Sequence, residues 1–545
     1  MSRVLVAVRS SGIVGPLPKL QDSRLITMAL KQLSPAIGLY LSRSLIPAEN
    51  IARGTRLLLP TISLNYARRS FVSSSRSTLN AKNDVSRTAS SSKESASQDP
   101  SSGPTELASR PNNPPADWDE NPNLSISTFS QLPSANFGFN QHMVINDDFK
   151  EALRQILWQF RAPIRYAFAY GSGVFPQSAA SPSAQSSALH PKPNPAITTV
   201  QGVQGKVIDF IFGVSHTQHW HSLNLQQHRD HYSAVGSLGS YVVSRIQDKW
   251  GAGVYFNPYI TVNGTLIKYG VVNLDTLCRD LSEWDTLYLA GRLQKPVKIL
   301  RDDPRVRLAN QVNLVSAVRT ALLLLPPTFT EHDLYSTIAG ISYLGDPRMS
   351  LPTENPQKVA NIVRNQLPNF RRLYAPLIED LPNVSFQDPR CSRPEWAEDP
   401  TTNASLAQDM DPQKRGNMVR RLPKSFREKL YFQYQSEFQI PRLEFNKMLE
   451  DTNDEDPTRV KRRQAGPFER RVAGEDYQDL KKVVSVVIKK TIGWPSASQS
   501  LKGILTGGLA RTSRYMKEKF EKYREGQKGG KKEGKPPDKG KEKSQ

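Results

Sequence analysis

The segment IRYAFAY (164–170) runs straight into Gly171-Ser172-Gly173. Six apolar and aromatic residues, interrupted only by Arg165 and halted by glycine, predict a buried strand that ends in a tight turn. A second run of the same kind, KVIDFIFGV, covers 206–214, and two more, VYFNPYITV and TLIKYGVV, are separated by Asn263-Gly264. Asn-Gly between two apolar runs is a strong hairpin signal. Helical spacing alternates with these strands. Phe149, Leu153, Ile156, Leu157 and Phe160 share one face of a helix that Asp147 or Asp148 can cap, a second helix is expected over 235–250, and 281–300 reads as helix then strand. The expectation is an α+β fold whose sheet lies within 136–300.

Beyond that sheet, 301–390 has mostly helical spacing (310–325 and 356–367) and reads as a smaller helical domain. Segment 391–476 is charged and is expected to be irregular. Order is expected to return over 477–525, as helices at 477–492 and 498–522. The Ser-, Pro- and charge-rich linker 71–135 and the lysine-rich tail 526–545 have the composition of disordered chain, and 178–205 reads as a low-complexity surface insert that builds no core.

The formal net charge of +22 and a pI near 9.8 favour an anionic partner, although both termini carry much of the excess. Cys278 and Cys391 offer neither a disulfide framework nor a metal-ligand spacing. No apolar run approaches the roughly 18–20 residues that span a bilayer, so any membrane contact is expected to be peripheral. Residues 1–70 carry ten Arg or Lys residues, from Arg3 to Arg69, against Asp22 and Glu49 alone. That Arg-rich, Ser-rich, acid-poor composition predicts a mitochondrial transit peptide.

The glycine turn has chemical potential of its own. Backbone N–H groups and the Ser172 hydroxyl can converge on one anion, glycine allows close approach, and a following helix start would add favourable dipole charge. The same residues can equally make a plain turn. Asp209 sits among Ile208, Phe210 and Ile211, where a carboxylate is costly without a partner: a divalent metal, a backbone group or an arginine. Lys268, inside an apolar strand, is either an edge residue or a phosphate contact. Five of the eight histidines fall in HTQHWHSLNLQQHRDHYS (216–233), whose spacing matches no common zinc motif. Strand, GS turn, helix and acid-bearing strand together resemble the polymerase-β-like nucleotidyltransferases, which usually carry acid-x-acid. Position 211 is Ile, so the second carboxylate must come from elsewhere, Asp275 being one candidate, or the triphosphate must supply more of the ligation.

YGSGVFPQ, DFIFGV, WHSLNLQQHRDHYS, GAGVYFNPYI, IKYGVV, LYLAGRLQKPV and YLGDPRM…ENPQKV occur in this order over 137–377, with SLKGILTGGLARTSRY nearer the C-terminus. The set resembles the mitochondrial phosphatidate cytidylyltransferase family, also called translocator assembly and maintenance proteins. The resemblance implies a nucleotidyltransferase domain, a winged-helix-like helical domain and a C-terminal membrane-contacting helix. It implies synthesis of CDP-diacylglycerol and pyrophosphate from CTP and phosphatidic acid, with Mg²⁺, for cardiolipin on the matrix side of the mitochondrial inner membrane, and no nucleic-acid partner. On this reading Tyr170, Gly171, Ser172 and Gly173 bind nucleotide, Asp209 ligates the metal and Lys268 contacts a phosphate. His221, Asn224, His231, Tyr232, Ser233, Arg292 and Lys295 are further candidates for substrate phosphate.

For the membrane, Leu501, Ile504, Leu505, Leu509, Met516 and Phe520 fall near one helical face, with Lys502, Arg511, Arg514 and Lys517 on or beside the polar side. Such a basic amphipathic helix suits an anionic lipid interface, or else packs on its own domain. Two other functions remain open on sequence: a nucleotidyltransferase acting on RNA, which would want a basic, aromatic-interleaved groove, and a non-catalytic maintenance factor for the import machinery, which would need neither Asp209 nor Ser172.

Overall fold

The structure, a computed structural model, describes residues 118–119, 125–176, 189–202, 205–350, 357–451, 464–508, 511 and 513. The expected transit segment 1–70, the tail 526–545 and most of the linker 71–135 lie outside the described residues. Order begins before the position expected near Phe137. Asp119 Oδ2 meets the Arg319 guanidinium at 2.6 Å, and Ile126, Leu132 and Phe137 pack with Leu308 in a small satellite core.

Helix α1 (Asp147–Trp158) is capped by Asn146, whose side chain accepts from the Phe149 N–H at 3.0 Å. The expected caps, Asp147 and Asp148, instead occupy the first turn, where their charge favours the helix dipole. Strand β1 (Tyr166–Tyr170), helix α2 (Pro195–Gln201) and strand β2 (Ile208–Val214) follow. Helix α2 corrects the reading of 178–205 as a coreless insert. Asn194 caps it, Pro195 starts it, and Ile197 joins the main core at 1% exposure. His190 is buried too and accepts from the Leu266 N–H at 2.9 Å.

Next come helices α3 (Thr217–Gln227) and α4 (Gly239–Lys249), then strands β3 (Val254–Val262) and β4 (Thr265–Asn273). The expected hairpin is present, with Asn263 and Gly264 at φ 47° and 70°. Helix α5 (Leu274–Glu283), the short helix α6 (Ala290–Leu293) and strand β5 (Lys298–Arg301) complete the first region. Its sheet runs β3-β4-β2-β1-β5, with only β2 and β4 parallel.

Asp303 and Pro304 then start the almost wholly buried helix α7 (Pro304–Leu324). Strand β6 (Thr328–Thr330), helices α8 (Glu331–Ile341), α9 (Lys358–Asn365) and α10 (Leu367–Glu379), and strands β7 (Val384–Phe386) and β8 (Ser405–Gln408) form a second layer with an antiparallel sheet ordered β6-β8-β7. The second region is therefore mixed rather than purely helical. Its core holds the ion pair Arg371–Glu331 at 2.7 Å, both side chains 0% exposed.

Segment 391–476 is largely structured rather than irregular. Besides β8 it contributes helices α11 (Pro412–Arg420), α12 (Lys424–Glu437), α13 (Arg442–Asp451) and α14 (Pro467–Ala473). Charge concealed this layer because several of its charges are internal: Glu469 accepts from buried Arg420 at 3.3 Å and from Tyr431 at 2.9 Å. The two expected C-terminal helices are one helix, α15 (Tyr477–Gly507), continuing through Pro495. Gln499 ties α15 to strand β3 at the sheet edge by donating to the Val254 carbonyl at 3.0 Å. No helix among the described residues is long and apolar enough to cross a membrane.

Candidate active site

Register assembles the site. Tyr170 on β1 pairs with Asp209 on β2, and Asp209 pairs with Lys268 on β4. Directly paired residues project to the same face of a sheet, so three distant parts of the chain meet in one row. Lys268 Nζ lies 3.4 Å from Asp209 Oδ1 and 4.7 Å from the centre of the Phe256 ring, and both partners of the ion pair are about one quarter exposed. The apolar strands thus hold a charged pair that still reaches solvent.

The glycine turn closes over this row. Gly171 has φ +80°, and a Cβ there would lie 3.3 Å from Asp209 Oδ2. A Cβ on Gly173 would meet the Val207 carbonyl at 2.5 Å, so only glycine lets the turn lie this close to β2. The N–H groups of Val174 and Phe175 fold back onto the Gly171 carbonyl at 3.1 and 2.9 Å. Among the described residues Ser172 Oγ has no hydrogen bond to another protein group. One expectation fails: no helix starts within 171–176, so the turn offers backbone and hydroxyl donors without a helix N-terminus.

Arg292 joins the row from α6. Its guanidinium lies 4.0 Å over the Tyr288 ring and its Nε is 3.3 Å from Tyr170 Oη. Sequence reasoning missed what places it. The buried Asp280 carboxylate accepts from the N–H groups of Thr286, Leu287, Leu289 and Ala290 at 2.8 to 3.1 Å. That clamp fixes the loop from which α6 starts. Lys295 follows, its amine pushed down to about 7 by burial and then by the nearby positive charges of Arg292 and Lys358.

The histidine-rich candidates belong elsewhere. Tyr269 neighbours Lys268 on β4 and therefore projects to the opposite face, where it stacks on Phe212. There His221 pairs with Tyr232 Oη at 2.8 Å and with Gln247 Oε1 at 2.7 Å. Asn224 donates to the hydroxyls of Tyr232 and Tyr269, and His231 meets Tyr269 Oη at 2.9 Å. Burial holds both imidazoles down at about 4, hence neutral. His221, Asn224, His231 and Tyr232 form a closed internal network across the sheet from Asp209, which removes them from the phosphate candidates. Ser233 likewise donates to the Leu505 carbonyl at 3.0 Å, locking α15 to this side.

His228, Asp230 and His231 lie near enough to suggest a cation site. The two imidazoles, however, stack 4.3 Å apart at an interplanar angle of 3°, so their nitrogen lone pairs run alongside each other rather than toward one point. Arg511 also donates to the carbonyls of Asp230 and His231. Asp275 does not supply the second carboxylate. It follows the β4 end, roughly 20 Å along the strand from Lys268, 79% exposed and paired with Arg305 at 3.0 Å. A cleft of about 550 Å³ opens at that same far end, lined by residues including Ser215, His216, His219 and Ser240. It holds no lysine, arginine or carboxylate, so charged phosphate chemistry is better served at Asp209.

Of the apolar residues named for a lipid contact, Leu501, Ile504 and Leu505 are described, and all three are exposed. Lys502, expected on the polar outer side, is buried, donates to the carbonyls of Gln247 and Trp250 at 3.2 and 2.6 Å, and is pushed down to about 7 by burial. Ser496, Gln499 and Thr506 are buried with it, while Trp494, Leu501, Ile504 and Leu505 are exposed. The first half of the helix packs into the main core through Leu480, Val484, Val487, Ile488 and Ile492, whereas its last turns bury polar residues and leave apolar ones outward. Leu509, Arg514, Met516 and Phe520 lie outside the described residues.

Comparison with known proteins identifies the family. The family described as "Phosphatidate cytidylyltransferase, mitochondrial" matches residues 153–522. Curated relatives of that name include one from Schizosaccharomyces pombe, 44% identical over 45% of this chain and 58% of its own length, and one from Saccharomyces cerevisiae, 42% identical over 48% and 64%. The match thus spans about three fifths of those two proteins. A relative from Xenopus laevis is 35% identical over 68% of this chain and 93% of its own length. The chain belongs to the mitochondrial phosphatidate cytidylyltransferase family.

Proposed function

We propose that this chain transfers a cytidylyl group from CTP to phosphatidic acid, forming CDP-diacylglycerol and pyrophosphate for cardiolipin synthesis. The reaction is placed on the matrix side of the mitochondrial inner membrane. The observation that carries the reading is the row Tyr170–Asp209–Lys268 beneath the Gly171–Gly173 turn, with Arg292 alongside.

The chemistry asks little covalent work of the protein. A phosphate monoester is largely ionised near neutral pH, so its oxygen can attack the α-phosphorus without a strong base. The bond to the β-phosphate breaks and pyrophosphate leaves with the electron pair. What the site must do is hold two anions together and offset charge growing on the leaving group. The turn's N–H groups and the Ser172 hydroxyl suit triphosphate oxygens, and Lys268 and Arg292 supply fixed positive charge beside them.

Asp209 is the residue that would hold Mg²⁺. The donor set fits a cation of this type, which commonly takes one or two carboxylates and completes its shell with water and substrate phosphates. When bound, Mg²⁺ would neutralise phosphate oxygens and orient the triphosphate. Asp209 Oδ1 faces Lys268, and Oδ2 lies on the Gly171 side.

Access to the lipid is assigned to the outward apolar side of α15, with Leu501, Ile504 and Leu505 resting in the interface of an anionic membrane. The test is purified protein with CTP, Mg²⁺ and phosphatidic acid vesicles. Appearance of CDP-diacylglycerol with equimolar pyrophosphate is expected; its absence from folded protein would reject the reaction.

A further inference from the structure

Lys295 reaches from the end of α6 toward the second region. Its Nζ donates to Ser342 Oγ at 2.9 Å, just past α8, and to the Gly291 carbonyl. The Tyr343 ring is shared by two ammonium groups, its centre 5.1 Å from Lys295 Nζ and 5.1 Å from Lys358 Nζ. Lys358 opens α9 and is half-buried. Arg292 stands one turn before Lys295 and carries its guanidinium to Tyr170, the register partner of Asp209. A row of three cations therefore leads from the Asp209 site to the first turn of α9.

Bringing like charges together in partly desolvated surroundings costs free energy, and the Tyr343 ring face offsets part of it. The Lys295 amine is lowered accordingly, by burial first and then by both neighbouring cations. An anion entering among the three would relieve the repulsion. A guanidinium fork with two ammonium groups matches an anion that presents several oxygens.

We infer that Arg292, Lys295 and Lys358, the two lysines sharing the Tyr343 ring, form a subsite for a terminal phosphate dianion. Its source is either the phosphate headgroup of the acceptor lipid or the γ-phosphate of the nucleotide. The inference rests on the cytidylyl-transfer reading for the identity of those two ligands. It makes the second region part of the binding site rather than a passive support.

The test uses the full chain and reads binding without turnover. Titration calorimetry measures dihexanoyl phosphatidic acid and CTP separately, on wild type, Lys358→Met and Lys358→Arg. Lys358→Met should raise Kd about tenfold for one ligand, with an unchanged melting midpoint, and Lys358→Arg should recover most of the loss. A loss confined to dihexanoyl phosphatidic acid assigns the subsite to the acceptor headgroup; a loss confined to CTP assigns it to the γ-phosphate. Unchanged Kd for both ligands, in Lys358→Met and in Tyr343→Leu alike, would overturn the subsite. A wild-type chain that binds both ligands yet makes no CDP-diacylglycerol would reject the reaction and leave the subsite standing.

Discussion

The two faces of the five-stranded sheet carry polar clusters of opposite kind. On one, Asp209 and Lys268 form an ion pair that remains about one quarter exposed. On the other, His221, Asn224, His231, Tyr232 and Tyr269 bond to one another within the interior. The difference lies in what each leaves available. The buried network pairs most of its polar groups internally, leaving Asn224 Oδ1 and Gln247 Nε2 without a hydrogen-bond partner, and holds its imidazoles neutral. The open pair keeps charge at a surface where an anion can arrive. Polar residues close in sequence, even adjacent ones such as Lys268 and Tyr269, thus serve separate purposes because strand alternation sends them apart.

The comparison is broken most severely through the open face. Asp209→Ala should lower the rate of CDP-diacylglycerol formation by about 10³-fold, with a melting midpoint close to wild type, since the carboxylate is not a core group. Activity within tenfold of wild type would remove Asp209 from the metal role. Replacing the clamp rather than the cluster should act through placement. Asp280→Ala leaves four loop N–H groups without their acceptor and should cost about 3 kcal/mol, seen as a lower urea midpoint, with CTP binding weakened as Arg292 loses its fixed position. Unaltered CTP affinity in folded variant would show that the loop holds its shape without the carboxylate.

The closed face is sharpened by pH. His221 and His231 titrate at about 4 in the folded protein against about 6.5 when unfolded. The unfolded chain therefore binds more protons between those values, so the stability from burying neutral rings is complete above pH 6.5 and declines toward pH 4. For His221, fully buried, the decline is about 3 kcal/mol. Urea midpoints between pH 7 and 4.5 should fall less steeply in His221→Gln than in wild type; parallel slopes would reject this origin. The smallest effect concerns the outer side of α15. Leu501→Ser with Leu505→Ser should reduce co-sedimentation with anionic vesicles about tenfold while leaving the melting midpoint in place; equal sedimentation would move the lipid contact elsewhere.

Strands β1 to β4 were legible because their apolar runs are short, β-rich and punctuated by glycine, and the Asn263-Gly264 turn announced itself. The row of Tyr170, Asp209 and Lys268 was half legible. The residues stood out singly, but their register is a tertiary property. Helices α11, α12 and α14 were hidden by composition, since residues such as Arg415, Arg420 and Glu469 count as surface in a sequence and are buried here. The histidine cluster misled for a related reason: a run of His, Asn and Tyr looks like ligand chemistry until each finds its partner across helices and strands. Helix α15 kept Leu501, Ile504 and Leu505 outward, but the burial of Lys502, Gln499 and Thr506 was not legible, because sequence periodicity identifies two faces of a helix without saying which the rest of the chain will take.

The burial of polar residues beneath an outward apolar side has a practical consequence for how the protein can change. Helix α15 is fastened by core residues such as Leu480, Val484 and Ile488 and by hydrogen bonds from Ser496, Gln499 and Lys502, so the identity of its outward residues is not needed to keep it in place. Folding and surface affinity are written on separate sides of one helix. Selection, or an engineer, can retune adhesion by editing Leu501, Ile504 and Leu505 while the attachment to the sheet edge stays as it is.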